Sequence, residues 1–259
     1  MYQLDTKCIQ SGYEPGNSQP RTLPIYQSTT YQYDDADALG KLFDLEADGH
    51  MYTRISNPTV AAVEAKIADL EGGVGAMLTS SGQAATFMAI FNICSQGQNF
   101  ISMNNIYGGS INLFSVTMAR MGIEVRYAHD KMTDEEFDAL FDENTRLVFG
   151  ETIANPALTV LDIQRFAALA HKHGVPLMVD NTFATPCLCR PLEHGADIVT
   201  HSTSKYMDGH ANVLGGCIVD GGTFDWEASG KYPELTQADE SYHGVVYTAQ
   251  FGKAAYITK

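Results

Sequence analysis

The stretch His201-Ser-Thr-Ser-Lys205-Tyr206 sets one lysine behind three consecutive hydroxyls, at the end of the apolar run Ile198-Val199. A lysine held at a strand end in a dry setting has a lowered pKa. As a neutral amine it is a nucleophile towards an aldehyde. Ser202 and Ser204 alternate along the chain and can both face one anion. The competing reading is a solvated surface lysine, and the apolar residues before it and small residues after it argue against that.

Three further stretches follow apolar runs in the same way. Ser80-Ser-Gly82-Gln83-Ala-Ala85 comes after Ala76-Met-Leu-Thr79. A glycine there lets the backbone approach a ligand, and the N-terminus of a following helix favours an anion. Taken alone, this is either an anion site or an ordinary strand-to-helix turn. Asp180 ends Val175-Pro-Leu-Met-Val179, with Thr182 just beyond. An unpaired carboxylate at the end of a buried strand is costly, so Asp180 needs a cation, a metal or a helix N-terminus to cap. Asn155 precedes Pro156, which on its own reads as a turn. Taken together, these features are what pyridoxal 5′-phosphate requires: a Schiff-base lysine, a phosphate cup, and a carboxylate that keeps the pyridine nitrogen protonated.

The elements that must position these residues are legible from periodicity. Residues 1–57 are rich in Tyr, Gln, Thr, Pro and Gly and read as an extended arm with one short helix near Asp35 to Leu45. Pro58 begins a helical pattern with Asn57 as N-cap and glycines at its end. From there short apolar strands alternate with helices: AMLTS, NFISM, IEVRYA, RLVFGET, VPLMVD and DIVTHS are the strands. Thr133 caps one of the intervening helices. Such alternation predicts an α/β fold, a mostly parallel, mixed sheet covered by helices on both faces. Ligands in such sheets bind at the carboxyl ends of strands.

Composition narrows the partners. The 259 residues carry 16 Lys and Arg against 31 Asp and Glu, a formal net charge of −15. That field repels nucleic acid and anionic membranes. No stretch of about 18 apolar residues is present to span a membrane. The N-terminus has no secretory pattern. The five cysteines are odd in number and form no C-x-x-C pair, which predicts reduced thiols and a cytoplasmic location. His171-x-His173 on a helix does not put both rings on one face, so a metal-dependent hydrolase gains little support and no metal is expected. Trp226, in a polar stretch, is given no role. Cys187 and Cys189 read as small packing residues, and His201 and His210 as satisfied polar residues, His210 with the option of lining the site.

The motifs YTRISNPT (52–59), SSGQAA, NIYGGSINLF (105–114), ETIANP, VDNTFATP and HSTSKYMDGHANVLGG resemble the cystathionine/methionine-metabolism family of pyridoxal-phosphate enzymes, in order and spacing. The late stretch GKYPELTQADESYHGVVYTAQFGKAAYITK is similar to the O-acetylhomoserine sulfhydrylase branch of that family. The resemblance implies the large domain of an aspartate-aminotransferase-like fold over residues 58–259. By it, Lys205 holds the cofactor, Asp180 pairs with the ring nitrogen and Tyr107 stacks on the ring. Gly82 and Gln83 donate backbone N–H groups to the phosphate, and Ser202 and Ser204 add hydroxyls. Asn155 lies near the ring hydroxyl and Thr182 near the ring. Tyr52 and Arg54 on the arm reach the phosphate of a neighbouring subunit, which implies a homodimer or homotetramer.

The implied reaction is γ-replacement, O-acetylhomoserine and sulfide giving homocysteine and acetate. Methionine γ-lyase activity, cystathionine γ-synthase activity and a catalytically impaired cofactor-binding fragment are the alternatives. The last arises because the family's C-terminal domain, which supplies an Arg for the substrate carboxylate, has no counterpart before Lys259; the chain is expected to be C-terminally truncated.

Overall fold

Short runs of β-branched, aromatic and small residues form seven strands in the computed structural model, which describes residues 2–259. The strands are β1 (Gly75–Thr79), β2 (Asn99–Met103), β3 (Glu124–Ala128), β4 (Thr145–Glu151), β5 (Leu177–Asp180), β6 (Ile198–His201) and β7 (Gly216–Asp220). They build one sheet in the order β1-β7-β6-β5-β4-β2-β3. Pairings from β6 through β5, β4 and β2 to β3 are parallel, whereas β7 runs antiparallel to both β1 and β6. The α/β class and the mostly parallel, mixed sheet are as expected. The β7 strand is the addition. It follows β6 without a covering helix between them, so the strand–helix alternation does not announce it, although Gly216-Cys-Ile-Val-Asp220 is buried throughout.

The helices begin where local chemistry can satisfy their first N–H groups. The first two are α1 (Leu4–Gln10) and α2 (Ala36–Phe43). Asp35 caps α2 by accepting from the Ala38 N–H at 2.7 Å. In α3 (Pro58–Glu71), the Asn57 side chain accepts from Thr59 N at 2.8 Å, Pro58 takes the first position, and Gly72 closes the helix at φ +82°. The left-handed conformation suits glycine at that stop. The later helices are α4 (Gly82–Phe91), α5 (Gly108–Asn112), α6 (Asp134–Asp138) and α7 (Ile163–Lys172). Thr133 and Glu136 form a reciprocal capping box at α6. After α5 the backbone loosens into a wider turn at Leu113–Met118. The arm therefore holds one helix more than its composition suggested: α1 packs on α3, where Lys7 pairs with Asp69 at 2.6 Å.

The core lies between sheet and helices. Phe100, Phe114 and Phe149 are fully buried and meet edge to face at 5.0 and 5.2 Å. Each such ring contributes about 2–3 kcal/mol on burial. Trp226 corrects the sequence reading. It is 5% exposed, stacks on Tyr256 at 5.4 Å and meets Tyr232 edge-on at 4.9 Å. It pins residues 226–256 against the sheet, a long-range role its polar neighbours conceal.

Candidate active site

The carboxyl ends of β1, β2, β4, β5 and β6 open into one cleft of about 230 Å³. From β1 come Ser81, Gly82 and Gln83 at the start of α4. Ser81 caps that helix, its hydroxyl accepting from Ala84 N at 3.1 Å. The N–H groups of Gly82 and Gln83 have no partner among the described residues. A Cβ on Gly82 would stand 2.5 Å from Ser202 Cβ, so only glycine allows α4 to start this close to the β6 loop. Two bare N–H groups and the helix dipole make this end of the cleft receptive to a phosphate.

The other wall is built from β5 and β6. Asp180 ends β5, and its Oδ1 accepts from Thr182 N at 2.9 Å and from the Thr182 hydroxyl at 2.5 Å. The same Thr182 oxygen accepts from Ser202 N at 2.8 Å, which ties the two strand ends together. Burial pushes the Asp180 carboxyl up, partly offset by the Thr182 hydrogen bonds and the neighbouring His201. No lysine, arginine or histidine pairs with it among the described residues. A cationic ring nitrogen placed here would satisfy a carboxylate that the protein leaves unmatched. The donor set thus fits pyridoxal phosphate at both ends.

Tyr107, Asn155, Ser204 and Lys205 also line the cleft. The Tyr107 ring is 50% exposed at its mouth. The Ser204 hydroxyl donates to Gly215 O at 3.1 Å and accepts from Gly215 N at 2.9 Å, so in this state it holds the following loop. Lys205 departs from expectation: it is exposed. The desolvation anticipated for it is absent here, and Leu214, which also lines the cleft, is exposed too. Tyr52 and Arg54 lie outside the cleft on the arm, where the Arg54 guanidinium sits 5.2 Å from the Tyr52 ring centre. His210 bonds its own loop at Asp208 O and does not line the cleft.

Residues 5–246 match the family of Cys/Met metabolism PLP-dependent enzymes. The chain belongs to that family. It is 43% identical over 258 residues to the homocysteine/cysteine synthase of Kluyveromyces lactis, covering 98% of this chain and 58% of that protein. It is 45% identical over 259 residues to O-acetyl-L-homoserine sulfhydrylase 1 of Thermus thermophilus, covering 99% and 61%. The chain thus spans about three-fifths of the length of these curated relatives. Among solved structures, an O-acetylhomoserine (thiol)-lyase described from Campylobacter jejuni superposes with a TM-score of 0.92 at 32% identity, over 100% of this chain and 64% of that one. That structure carries a pyridoxyl-lysine monophosphate. The cystathionine γ-lyase of Lactobacillus plantarum aligns at TM-score 0.77 and 31% identity, over 89% and 57%.

As a member of this family the protein uses pyridoxal phosphate, and its fold is that of these PLP enzymes. Sequence reading missed Glu151 in the cleft and a buried pair, Glu71 and His201, outside its lining. Glu151 also lines the cleft and is raised to about 7, by burial first and by Asp180 second. It ends an apolar strand as Asp180 does, and that signal was available in Glu151-Thr-Ile-Ala-Asn155-Pro156. Glu71 was not: it ends α3, is fully buried, and pairs with His201 Nε2 at 2.6 Å across 130 positions. His171 and His173 bond separately, to Asp197 and Asp138, each at 2.7 Å. Among the described residues no group of three or more His, Cys, Asp or Glu is placed to hold a metal.

Proposed function

We propose that this cleft catalyses γ-replacement on O-acetylhomoserine, with sulfide as nucleophile and homocysteine and acetate as products. The observation that carries the reading is the convergence of Lys205, Asp180, Tyr107 and the first turn of α4 in one cleft. Support comes from relatives 43% and 45% identical that are named for homocysteine synthesis and O-acetylhomoserine sulfhydrylation.

When bound, pyridoxal phosphate supplies an aldehyde for amines and a ring that draws electron density from the substrate α-carbon. The N–H groups of Gly82 and Gln83 hold its phosphate, with the Ser202 hydroxyl beside them; Ser204 joins on releasing Gly215. Asp180 keeps the proton on the ring nitrogen, braced by Thr182. Asn155 meets the ring hydroxyl and Tyr107 covers the ring face. Lys205 Nζ would hold the cofactor's aldehyde and would be set free when the substrate amine takes its place. The freed amine then takes the proton from the substrate α-carbon. A proton leaves the β-carbon, acetate departs from the γ-carbon, sulfide adds there, and protons return to the β- and α-carbons to give homocysteine. The Tyr107 hydroxyl assists the amine exchange or the leaving group.

Tyr52 and Arg54 reach the phosphate of a second copy, so the working form is a homodimer or homotetramer with shared sites; an Arg fork suits a phosphate. Residues 1–57 act as the arm that delivers them, and residues 58–259 form the cofactor-binding domain. No helix among the described residues is long and apolar enough to cross a membrane. All five cysteines are free, which supports a reducing, cytoplasmic setting. The likeness to a cystathionine γ-lyase structure keeps one second reading, a lyase that releases product without a sulfur nucleophile.

The test is product analysis on purified protein with pyridoxal phosphate and O-acetylhomoserine. Acetate and homocysteine that form only when sulfide is present support γ-replacement. Oxoacid and ammonia without sulfide identify the lyase. Turnover that survives in Lys205→Ala sinks both.

A further inference from the structure

Glu151 is the one carboxylate in the cleft to which the mechanism above gives no task. It is 8% exposed, and its two oxygens accept from two different loops. Oε1 takes the Tyr107 N–H at 2.7 Å, and Oε2 takes the Asn155 N–H at 3.1 Å. Tyr107 begins α5 after β2, and Asn155 lies in the turn after β4. No other hydrogen bond joins these two loops among the described residues.

Keeping a carboxylate here is expensive. It is desolvated, Asp180 stands close enough to oppose its charge, and no cation pairs with it among the described residues. A glutamine would fill the same space without that cost. It has one acceptor oxygen, however, and its amide nitrogen can only donate, so it cannot receive two N–H groups on two atoms. Bridging the two loops is the task that needs a carboxylate.

We propose that Glu151 is a positioning residue that locks Tyr107 and Asn155 into their cofactor-binding places as one unit. The inference rests on the cofactor reading given above. Both Glu151 oxygens are turned to the backbone N–H groups of the two loops. Glu151 acts through the backbone of the residue offered to the ring face and of the residue offered to the ring edge. Other ionisable groups facing the same cleft are Asp180, Tyr107 and Lys205.

A mutant cycle on cofactor affinity tests it, because residues acting through one another are non-additive. The 259-residue chain, stripped of cofactor, is titrated with pyridoxal phosphate and followed by its visible absorption. Glu151→Gln should weaken binding by roughly 10-fold or more. In a Tyr107→Ala, Asn155→Ala background, which keeps both N–H groups but removes both side chains, the same substitution should change affinity by less than about twofold. An undiminished effect in that background would overturn the proposal, as would unchanged affinity for Glu151→Gln alone.

Amide hydrogen exchange on the unsubstituted apoprotein gives a second readout that no folding defect of a variant can obscure. Slow exchange at Tyr107 and Asn155 is expected, and fast exchange at either removes the clamp. Unsubstituted chain that binds no pyridoxal phosphate, with both amides protected, would instead refute the cofactor reading.

Discussion

The cleft and the arm treat their functional residues in opposite ways. At the strand ends hydrogen bonds tie several of the groups together: Ser202 N to Thr182, Thr182 to Asp180, and Glu151 to two loops. On the arm, Leu42 is the only hydrophobic side chain before Asn57 that is fully buried, among the described residues. Tyr52 is 40% exposed, and Arg54, beside the Tyr52 ring, makes no hydrogen bond or ion pair among the described residues. A residue held by a sheet is in place before any ligand or partner arrives. A residue on an arm gains a fixed position only from what it docks against. The contrast separates the part of the site this chain builds alone from the part that the proposed function assigns to a second copy.

Lys205→Ala is the harshest test of the first half. It should lower turnover by about 10²–10⁴-fold or more while leaving the fold intact, since the side chain is exposed. Steady-state acetate release and thermal unfolding together check this. Mixing that variant with Arg54→Ala sharpens the contrast: hybrids should regain activity, because one site per pair then has both residues. No recovery on mixing would mean that the arm serves its own chain.

Trp226→Ala should cost about 3–5 kcal/mol in urea unfolding, as it empties the space between Tyr232 and Tyr256. Gly82→Ala should cost about 1–3 kcal/mol, because its Cβ would meet Ser202. It should also weaken cofactor binding at the phosphate end.

Two carboxyls raised by burial contribute to the pH dependence of the apoprotein, Glu151 from 4.5 to about 7 and Asp220 from 3.8 to about 6. Between those values the native chain binds more protons than the unfolded one. The two carboxyls' share of the stability is therefore fullest below about pH 4 and falls as pH rises towards 7, whereas carboxyls that the fold lowers, Asp142 among them, lose their share at acid pH. The Glu151 part is at most roughly 3 kcal/mol. Glu151→Gln should flatten that fall in unfolding measured across the range, and an unchanged slope would contradict it. The smallest effect belongs to Arg54→Ala, which should leave unfolding within about 0.5 kcal/mol.

Where order is local, sequence was a sufficient guide. Asn57, Pro58 and Gly72 bracket α3, and Thr133 starts α6, because capping is decided within one turn of chain. The strand ends that carry Gly82, Asn155, Asp180 and Lys205 were legible too, since apolar runs broken by polar residues mark the carboxyl edge of a parallel sheet, whereas Tyr107 came only with the family resemblance. Only tertiary structure decided that β7 returns antiparallel between β1 and β6, that Trp226 is a core residue, and that Glu71 meets His201. It also decided that Lys205 is exposed and that Glu151 joins two loops. Each of these depends on residues brought together from far along the chain or on how a loop closes. No local window of residue types records such contacts, because pairing and desolvation are properties of the packed molecule.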